Sequence, residues 1–464
     1  MERHKTLTEG NITSTLFKLA IPIMATSFVQ MAYNMMDMIW LGRLSTEAVA
    51  AAGTAGFLTW FGSGLFTIPK IGAEVGVAQS YGRRDMESAR DYVSHTLQIA
   101  LVIGVIYSLI LMVFRHQIIG FFGLEDLEVV KMAEDYLLIV AFGIVFYFVN
   151  PVLSGIFNGS GNSTTPFKVN AIGLIINMIL DPLMIMGIGP FPKMGIKGAA
   201  WATVIAQFIV TFIFVKLGTG KSDLFIDLKL LRRPEGKYVK RVFKLGTPAA
   251  LQTGFFALIG MGIAKIIAKW GATPVAVQNV GSQIESISWM TAGGFSTAIS
   301  AFIGQNYGAQ QWERIHKGYR NGMVIVGTIG ILATLLLIFG AEPIFKIFIP
   351  NDSEALEIGI SYLRILGLCQ FFMAVEIATG GAFNGIGRTR PPAFVGILFN
   401  STRIPMALML SSTKLGLDGV WWSITITCIL RGIVLPAWYV LILRRSPTTN
   451  KEDMHREKDM LNFI

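Results

Sequence analysis

Apolar runs long enough to cross a bilayer recur along the whole chain, and short polar breaks separate them. One span needs about 20 apolar residues. The runs fall near 14–41, 48–80, 92–114, 132–157, 164–189, 195–217, 243–268, 275–305, 318–341, 358–384, 391–411 and 416–443. This pattern predicts an all-α membrane protein of twelve transmembrane helices, because a helix satisfies its own backbone polar groups where no water can. The second and eighth runs are long and rich in glycine, so each is expected to bend or to reach past the hydrocarbon.

Polar residues inside these runs are the candidates for chemistry. Gln30, Tyr33, Asn34 and Asp37 follow spacings of three and four in the first helix, and so share one face. Asn170, Gly173, Asn177 and Asp181 do the same in the fifth. An ionised carboxylate in hydrocarbon costs about 3 kcal/mol even by the gentler insertion scales, so it persists only beside a cavity or a partner. Both helices run outward from the same side, which puts Asp37 and Asp181 at similar depth and predicts that the two stripes face each other.

Charge placement gives the orientation. The loops on the side shared by both termini carry Arg3, Lys5, Arg83, Arg84, Arg90, the basic stretch from Lys216 to Lys244, Arg314, Lys317, Arg320, Arg388, Arg390 and a basic tail. The opposite loops carry roughly a third as many basic residues, together with acidic clusters at Glu125–Glu128 and Asp352–Glu357. Both termini are therefore expected in the cytoplasm of a multi-pass membrane protein. The net charge of +10 then meets anionic lipid rather than nucleic acid.

The chain also repeats itself at an offset of 226 residues. Leu19 and Pro22 recur as Leu245 and Pro248, and Gln79, Tyr81 and Gly82 as Gln305, Tyr307 and Gly308. Tyr136-Leu137 recurs as Tyr362-Leu363, and Phe157-Asn158-Gly159-x-Gly161 as Phe383-Asn384-Gly385-x-Gly387. Gly198-x-x-Trp201 returns as Gly419-x-x-Trp422, at 221. Six spans per repeat leave both halves in one orientation, related by a pseudo-two-fold axis along the membrane normal. The expected division is an N-lobe at 1–217, a cytoplasmic linker at 218–242, a C-lobe at 243–443 and a tail at 444–464.

The remaining composition narrows the picture. Hydrophobic residues make up 53% of the 464 and charged residues 15%, against roughly 25% charged in soluble proteins. Little length remains for a soluble domain. Cys369 and Cys428 both lie in apolar runs and suit packing rather than a disulfide framework. His95 reads as a packed helix residue, and the five histidines show no metal spacing. No P-loop, zinc-binding histidine pair or nucleophile elbow is present, which argues against an enzyme and for energy drawn from an ion gradient. No cofactor is expected.

The paired Leu-x-x-Pro, Gln-x-Tyr-Gly and Asn-Gly-x-Gly motifs, with six plus six spans and a basic central linker, resemble the multidrug and toxic compound extrusion (MATE) family over nearly the whole chain. The resemblance implies a monomeric antiporter that exports organic cations and amphiphilic drugs against inward Na⁺ or H⁺, by alternating access of two lobes. Tyr33, Asp37, Asn177, Asp181 and Thr203 resemble the N-lobe cation site of the DinF-like branch. The norfloxacin-exporter-like branch instead carries acids in the seventh and tenth helices, where this chain has Gln252 and Lys265, and Glu376 about one turn out of place.

The expectation is that Asp37 and Asp181, with Tyr33, Asn177 and Thr203, bind the coupling cation. Asp37, Asn177 and Asp181 would be the metal ligands if that cation is Na⁺, since oxygen ligands suit a hard ion. Two adjacent carboxylates equally make a proton site. Gln30, Met31, Asn34, Met35, Asn150, Gln252, Gln283, Glu285 and Glu376 are expected around the drug, with Lys265, Arg403 and Arg431 as potential structural partners of the C-lobe acids. The methionines suit a deformable pocket. A flippase for lipid-linked saccharides or a dedicated exporter of one metabolite are the competing readings, and acidic N-lobe residues favour a cationic cargo over a pyrophosphate.

Overall fold

The computed structural model describes residues 7–124, 126–221, 223–226, 228, 230–231, 233–350 and 352–445. The expectations for Arg3, Lys5, Glu125, Lys229, Arg232 and the tail beyond 445 lie outside these residues. Among the described residues the chain is helical, with no strand. The first repeat comprises α1 (Ile12–Leu44), α2 (Thr46–Gly82), α3 (Met86–Val113), the short α4 (Arg115–Phe121), α5 (Leu127–Gly159), α6 (Thr164–Met186) and α7 (Ile196–Lys221). The second comprises α8 (Gly236–Ile267), α9 (Ala272–Gly308), α10 (Trp312–Phe339), the short α11 (Ala341–Phe348), α12 (Ser353–Gly367), α13 (Gln370–Gly385), α14 (Arg390–Ser401), α15 (Arg403–Ser411) and α16 (Leu417–Arg444).

The repeat read from sequence reappears in the helix bounds. α9 and α10 begin and end 226 residues after α2 and α3, and α12 with α13 spans the same register as α5. Even the caps repeat: Asp126 accepts from the Glu128 amide at 2.8 Å and Asp352 from the Ala355 amide at 3.0 Å. Among the described residues ten spans are long and apolar enough to cross a bilayer, one of them α14 with α15, and α12 with α13 makes an eleventh, bent by 48°. The long α9 carries Gln278, Asn279, Gln283 and Glu285 among its apolar residues and completes the twelve.

Glycine explains why the Asn-Gly-x-Gly motif recurs. A Cβ on Gly159 would sit 2.5 Å from the carbonyl oxygen of Glu74, and one on Gly385 2.7 Å from that of Ser300. One turn earlier, Gly155 lies against the carbonyl of Lys70 and Gly381 against that of Ser296. Small residues four apart thus let α5 close on α2 and α13 on α9, the approach by which membrane helices gain packing without a hydrophobic driving force. The last glycine of each motif, Gly161 or Gly387, turns the chain at φ +90° or +74°, which a side chain resists.

The helices form two compact units, Phe17–Phe255 and the remainder. These depart from the expected lobe boundaries because each repeat's leading segment packs into the other repeat's unit. In the first unit, Leu224 and Phe225 of the central basic segment are buried, and Phe225 stacks on Phe157 at 5.7 Å. Gln98 donates to the Leu230 carbonyl at 2.9 Å, and His95 Nε2 accepts from the Glu235 amide at 2.8 Å. His95 is therefore a helix residue that also fixes the linker. In the second unit, Gln305 accepts from the Leu7 amide at 2.9 Å, while Arg314 donates to the Gly10 carbonyl at 3.1 Å.

Adjacent glycines on α13 give a direct test of this packing. Gly381→Ala drives a methyl into the Ser296 carbonyl and is expected to lose about 1–3 kcal/mol. Gly380→Ala meets open space and is expected to gain up to about 1 kcal/mol from reduced chain entropy. Thermal unfolding of the purified variants, with opposite signs expected, checks both.

Candidate functional site

Within the first unit, four helices bring polar side chains to one buried point. α1 contributes Tyr33 and Asp37 one turn apart, and α6 contributes Asn177 and Asp181 one turn apart. α7 contributes Thr203 and α5 contributes Tyr136. Asn177 and Asp181 have no exposed surface, and Tyr33 is buried. Asp37 is half-buried, with its Oδ1 shielded from solvent. Of the two polar stripes of the sequence, the ends at Asp37 and Asp181 meet, whereas Gln30 and Asn34 are exposed.

The hydrogen bonds are specific. Asn177 Nδ2 donates to Asp181 Oδ1 at 3.2 Å, and Thr203 Oγ1 donates to Asp37 Oδ2 at 3.4 Å. Tyr33 donates to the Thr203 carbonyl at 3.4 Å. The Asp37 and Asp181 carboxyls lie close enough for their charges to act on each other. After these contacts, Asp37 Oδ1, Asn177 Oδ1 and Asp181 Oδ2 remain buried acceptors with no partner. No basic side chain of the described residues acts on either acid.

Such a cluster has one chemical need. Two carboxylates in contact repel each other strongly in a medium of low polarity, so a positive charge must lie between them. A shared proton or a small hard cation meets that need, and the three orphaned acceptors are all oxygens of the kind Na⁺ prefers. Tyr136, near both acids, was not picked out as a site residue from sequence. Its signal was present in the repeated Tyr-Leu pair at 136 and 362.

The other candidates disperse. Gln30, Asn34 and Met35 are exposed on α1, and Met31 is half-buried. Asn150 is buried on α5 with its amide fully engaged: it donates to the Gln207 carbonyl and side chain at 3.0 and 2.8 Å and accepts from Thr211 at 2.7 Å. That is a helix-to-helix tie between α5 and α7. Gln252 is half-buried on α8, and Gln283 is exposed on α9.

In the second unit, Glu376 is ion-paired with Arg431 at 3.2 Å, both almost fully buried. Glu285, half-buried on α9, accepts from Gln370 Nε2 at 3.5 Å and from Tyr362. Arg403 donates from Nε to Thr427 at 2.9 Å. Lys265 is exposed on α8 and forms no bridge with either acid among the described residues. Cys369 and Cys428 are buried free thiols.

Comparison with known proteins agrees with this architecture. The MatE family model matches residues 22–183 and again 248–409, the same 226-residue shift as the repeat. The probable multidrug resistance protein NorM of Thermotoga maritima is 29% identical over 88% of each chain. The probable multidrug resistance protein YoeA of Bacillus subtilis is 25% identical over 92% of this chain and 94% of its own. The FAD transporter of Shewanella oneidensis is 24% identical over 93% and 95%. A crystal structure of a MATE protein in its bent conformation aligns with a TM-score of 0.89 at 23% identity, covering 96% of this chain and 98% of that one. A MOP superfamily transporter from Pyrococcus furiosus aligns at 0.88 with 24% identity, over 96% and 98%. With the family model matching five of the six spans in each repeat, over more than half of the chain, the chain belongs to the MatE family of membrane transporters.

Proposed function

We propose that this transporter is a secondary antiporter of the plasma membrane, with both termini in the cytoplasm, that exports cationic or amphiphilic compounds in exchange for inward Na⁺ or H⁺. The observation that carries the reading is the buried pair Asp37 and Asp181, with three unpartnered acceptor oxygens and no basic neighbour. Asp37, Asp181 and Asn177 hold the cation, Thr203 orients Asp37, and Tyr33 ties α1 to α7. Relatives named as probable multidrug resistance proteins support the cargo class.

Exchange follows from the charge requirement. The acid pair is stable with a cation or proton present and unstable without one, so release of the drug-loaded form and reloading by the cation favour different arrangements of α1 and α6. Alternating access of the two halves is the form of motion we propose. A second reading, export of a single anionic metabolite, is favoured by the similarity to a relative named FAD transporter, which is nearly as close as several named for multidrug resistance.

Efflux of ethidium and of FAD from cells separates these cargoes. Wild type is expected to clear ethidium, and FAD export in its place would favour the metabolite reading. Asp37→Asn and Asp181→Asn, at equal expression, are each expected to reduce efflux to the level of cells lacking the transporter. Dependence on external Na⁺ at fixed pH, or on pH without Na⁺, identifies the coupling ion.

Thr203→Val removes one hydrogen bond and leaves both carboxyls. It is expected to keep maximal efflux and raise the half-saturating cation concentration roughly two- to tenfold, the equivalent of about 0.5–1.5 kcal/mol. A fall in maximal rate with unchanged half-saturation would argue that Thr203 serves the fold and not the cation.

A further inference from the structure

A histidine of the first unit is held so that only one of its forms fits. His95 of α3 is 4% exposed, and both of its ring nitrogens are engaged. Nδ1 lies 2.7 Å from the Asp91 carbonyl, which can only accept, so Nδ1 carries a proton. Nε2 lies 2.8 Å from the Glu235 amide, which can only donate, so Nε2 carries none. These two contacts fix the neutral ring in one tautomer. A second proton would set an N–H against the N–H of Glu235, and that bond must then break.

Glu235 is the residue from which α8 starts, since its carbonyl accepts from the Tyr238 and Val239 amides at 3.1 and 3.2 Å. Further on, α8 fits closely on α2: Gly246 rests against the Ile68 carbonyl, where a Cβ would collide. α8 counts with the first unit up to Phe255 and with the second from Phe256. The other leading segment is tied from the same position. Shifted by 226 residues, His95 falls on Asn321, whose Nδ2 donates to Thr13 Oγ1 near the start of α1 at 3.1 Å. One tie thus uses an amide, which does not titrate. The other uses an imidazole, the side chain whose charge ordinarily changes between about pH 5 and 8.

The charged groups around the ring come from its own helix and from the linker. Asp91, one turn back on α3, accepts from the Tyr238 hydroxyl at 2.8 Å, and the Tyr238 ring lies 4.9 Å from the imidazole. Lys237 bonds Glu235 at 3.3 Å and sits over the Tyr238 ring. On α2 the neighbouring positions are glycines, Gly72 against Val242 and Gly76 against Tyr92, while Glu74 lies against Gly155 of α5. A protonated ring is drawn to the carboxylates of Asp91 and Glu235, and taking either one costs Tyr238 or Lys237 a partner. Earlier in the linker, Arg90 donates to the Asp223 carbonyl at 2.8 Å and Gln98 to that of Leu230 at 2.9 Å. Those bonds are independent of the imidazole.

We propose that His95 is a pH-sensitive latch. Neutral, it holds the start of α8 against α3. Protonated, it releases that start, and transport slows as the side of the membrane bearing the linker turns acidic. Under the proposed orientation that side is the cytoplasm. The release is confined to the approach to α8, because the bonds at Asp223 and Leu230 remain. The latch stands apart from Asp37 and Asp181 and does not rest on their reading as a cation site.

The test is amide hydrogen exchange of the purified full-length protein at about pH 7.5 and about pH 5.5, either side of the ordinary imidazole range. Wild type is compared at each pH with His95→Gln, whose Oε1 can accept from the Glu235 amide, and with His95→Ala, which cannot. Over Glu235–Val239 wild type is expected to exceed His95→Ala in protection roughly two- to tenfold at the higher pH, the worth of one hydrogen bond, and to converge on it at the lower. His95→Gln should keep its protection at both, and the stretches Leu224–Phe225 and Thr13–Leu16 should show no such convergence. A wild-type advantage over His95→Ala that is the same at both pH values, or an equal loosening at Thr13–Leu16, overturns the latch. Efflux of whichever of ethidium and FAD wild type clears is then followed with the linker side acidified and the pH difference across the membrane held constant. It is expected to fall in wild type, relative to His95→Gln, by about the same factor. Equal efflux by the two proteins at every pH overturns the regulatory role.

Discussion

Asp37 and Asp181 meet between apolar helices without a basic side chain to neutralise them. Removing two carboxylates from water is expensive, and their mutual repulsion in a poorly polarisable interior adds to the cost. The packing around them reads as a response to that constraint. Asn177 and Thr203 each give one of the acids a donor, and Tyr33 fixes the carbonyl of the residue that holds Asp37. Each of these bonds joins or stiffens α1, α6 and α7. Under the proposed antiport, the positions of those three helices are consequently tied to the positive charge at the pair, the tie that an ion-driven exchange requires.

A charge-sensitive centre needs a frame that does not yield when the charge leaves. The glycine contacts supply it. Gly155 and Gly159 bring α5 against the backbone of α2, and Gly381 and Gly385 bring α13 against α9. Contacts between backbones leave few rotamers to rearrange. Tyr136 extends from α5 on this rigid frame toward both acids, and Tyr362 extends from α12 toward Glu285. Each repeat thus sets a tyrosine on its fixed helices facing the carboxyl that must be balanced.

Much of this was legible in the chain because it rests on periodicity and identity. The spans, the repeat and the facing stripes of α1 and α6 follow from apolar length, a constant offset and spacings of three and four. The role of Thr203 was not legible from residue patterns, since one threonine in an apolar helix carries no period, and it entered only through family resemblance. Asn150 illustrates the opposite case. A buried polar side chain suggested a cavity, yet Gln207 satisfies it across a helix contact that no single helix pattern reveals, while Glu376 takes the alternative the sequence also offered, the pair with Arg431. The docking of Leu224 and Phe225 on the first unit was hidden in the same way, because a basic segment reads as solvated and its two apolar residues look incidental.

The two repeats differ where the backbone is interrupted, and this difference accounts for how their polar groups are used. α5 and α6 run unbroken through residues whose counterparts in the second repeat break at Leu368–Cys369 and at Thr402. A broken helix in hydrocarbon leaves carbonyls that must find donors within the protein. Gln370 Nε2 and Cys369 Sγ both donate to the Leu366 carbonyl, at 3.1 and 3.2 Å, and Thr402 Oγ1 donates to that of Phe399 at 2.8 Å. Polar side chains at these positions are therefore taken up by the breaks. In the first repeat the unbroken helices make no such demand, and the donors and acceptors of Asn177 and Asp181 remain available to each other and to a third party. A helix that satisfies its own backbone can leave side-chain oxygens unfilled, and unfilled oxygens are what a mobile cation binds.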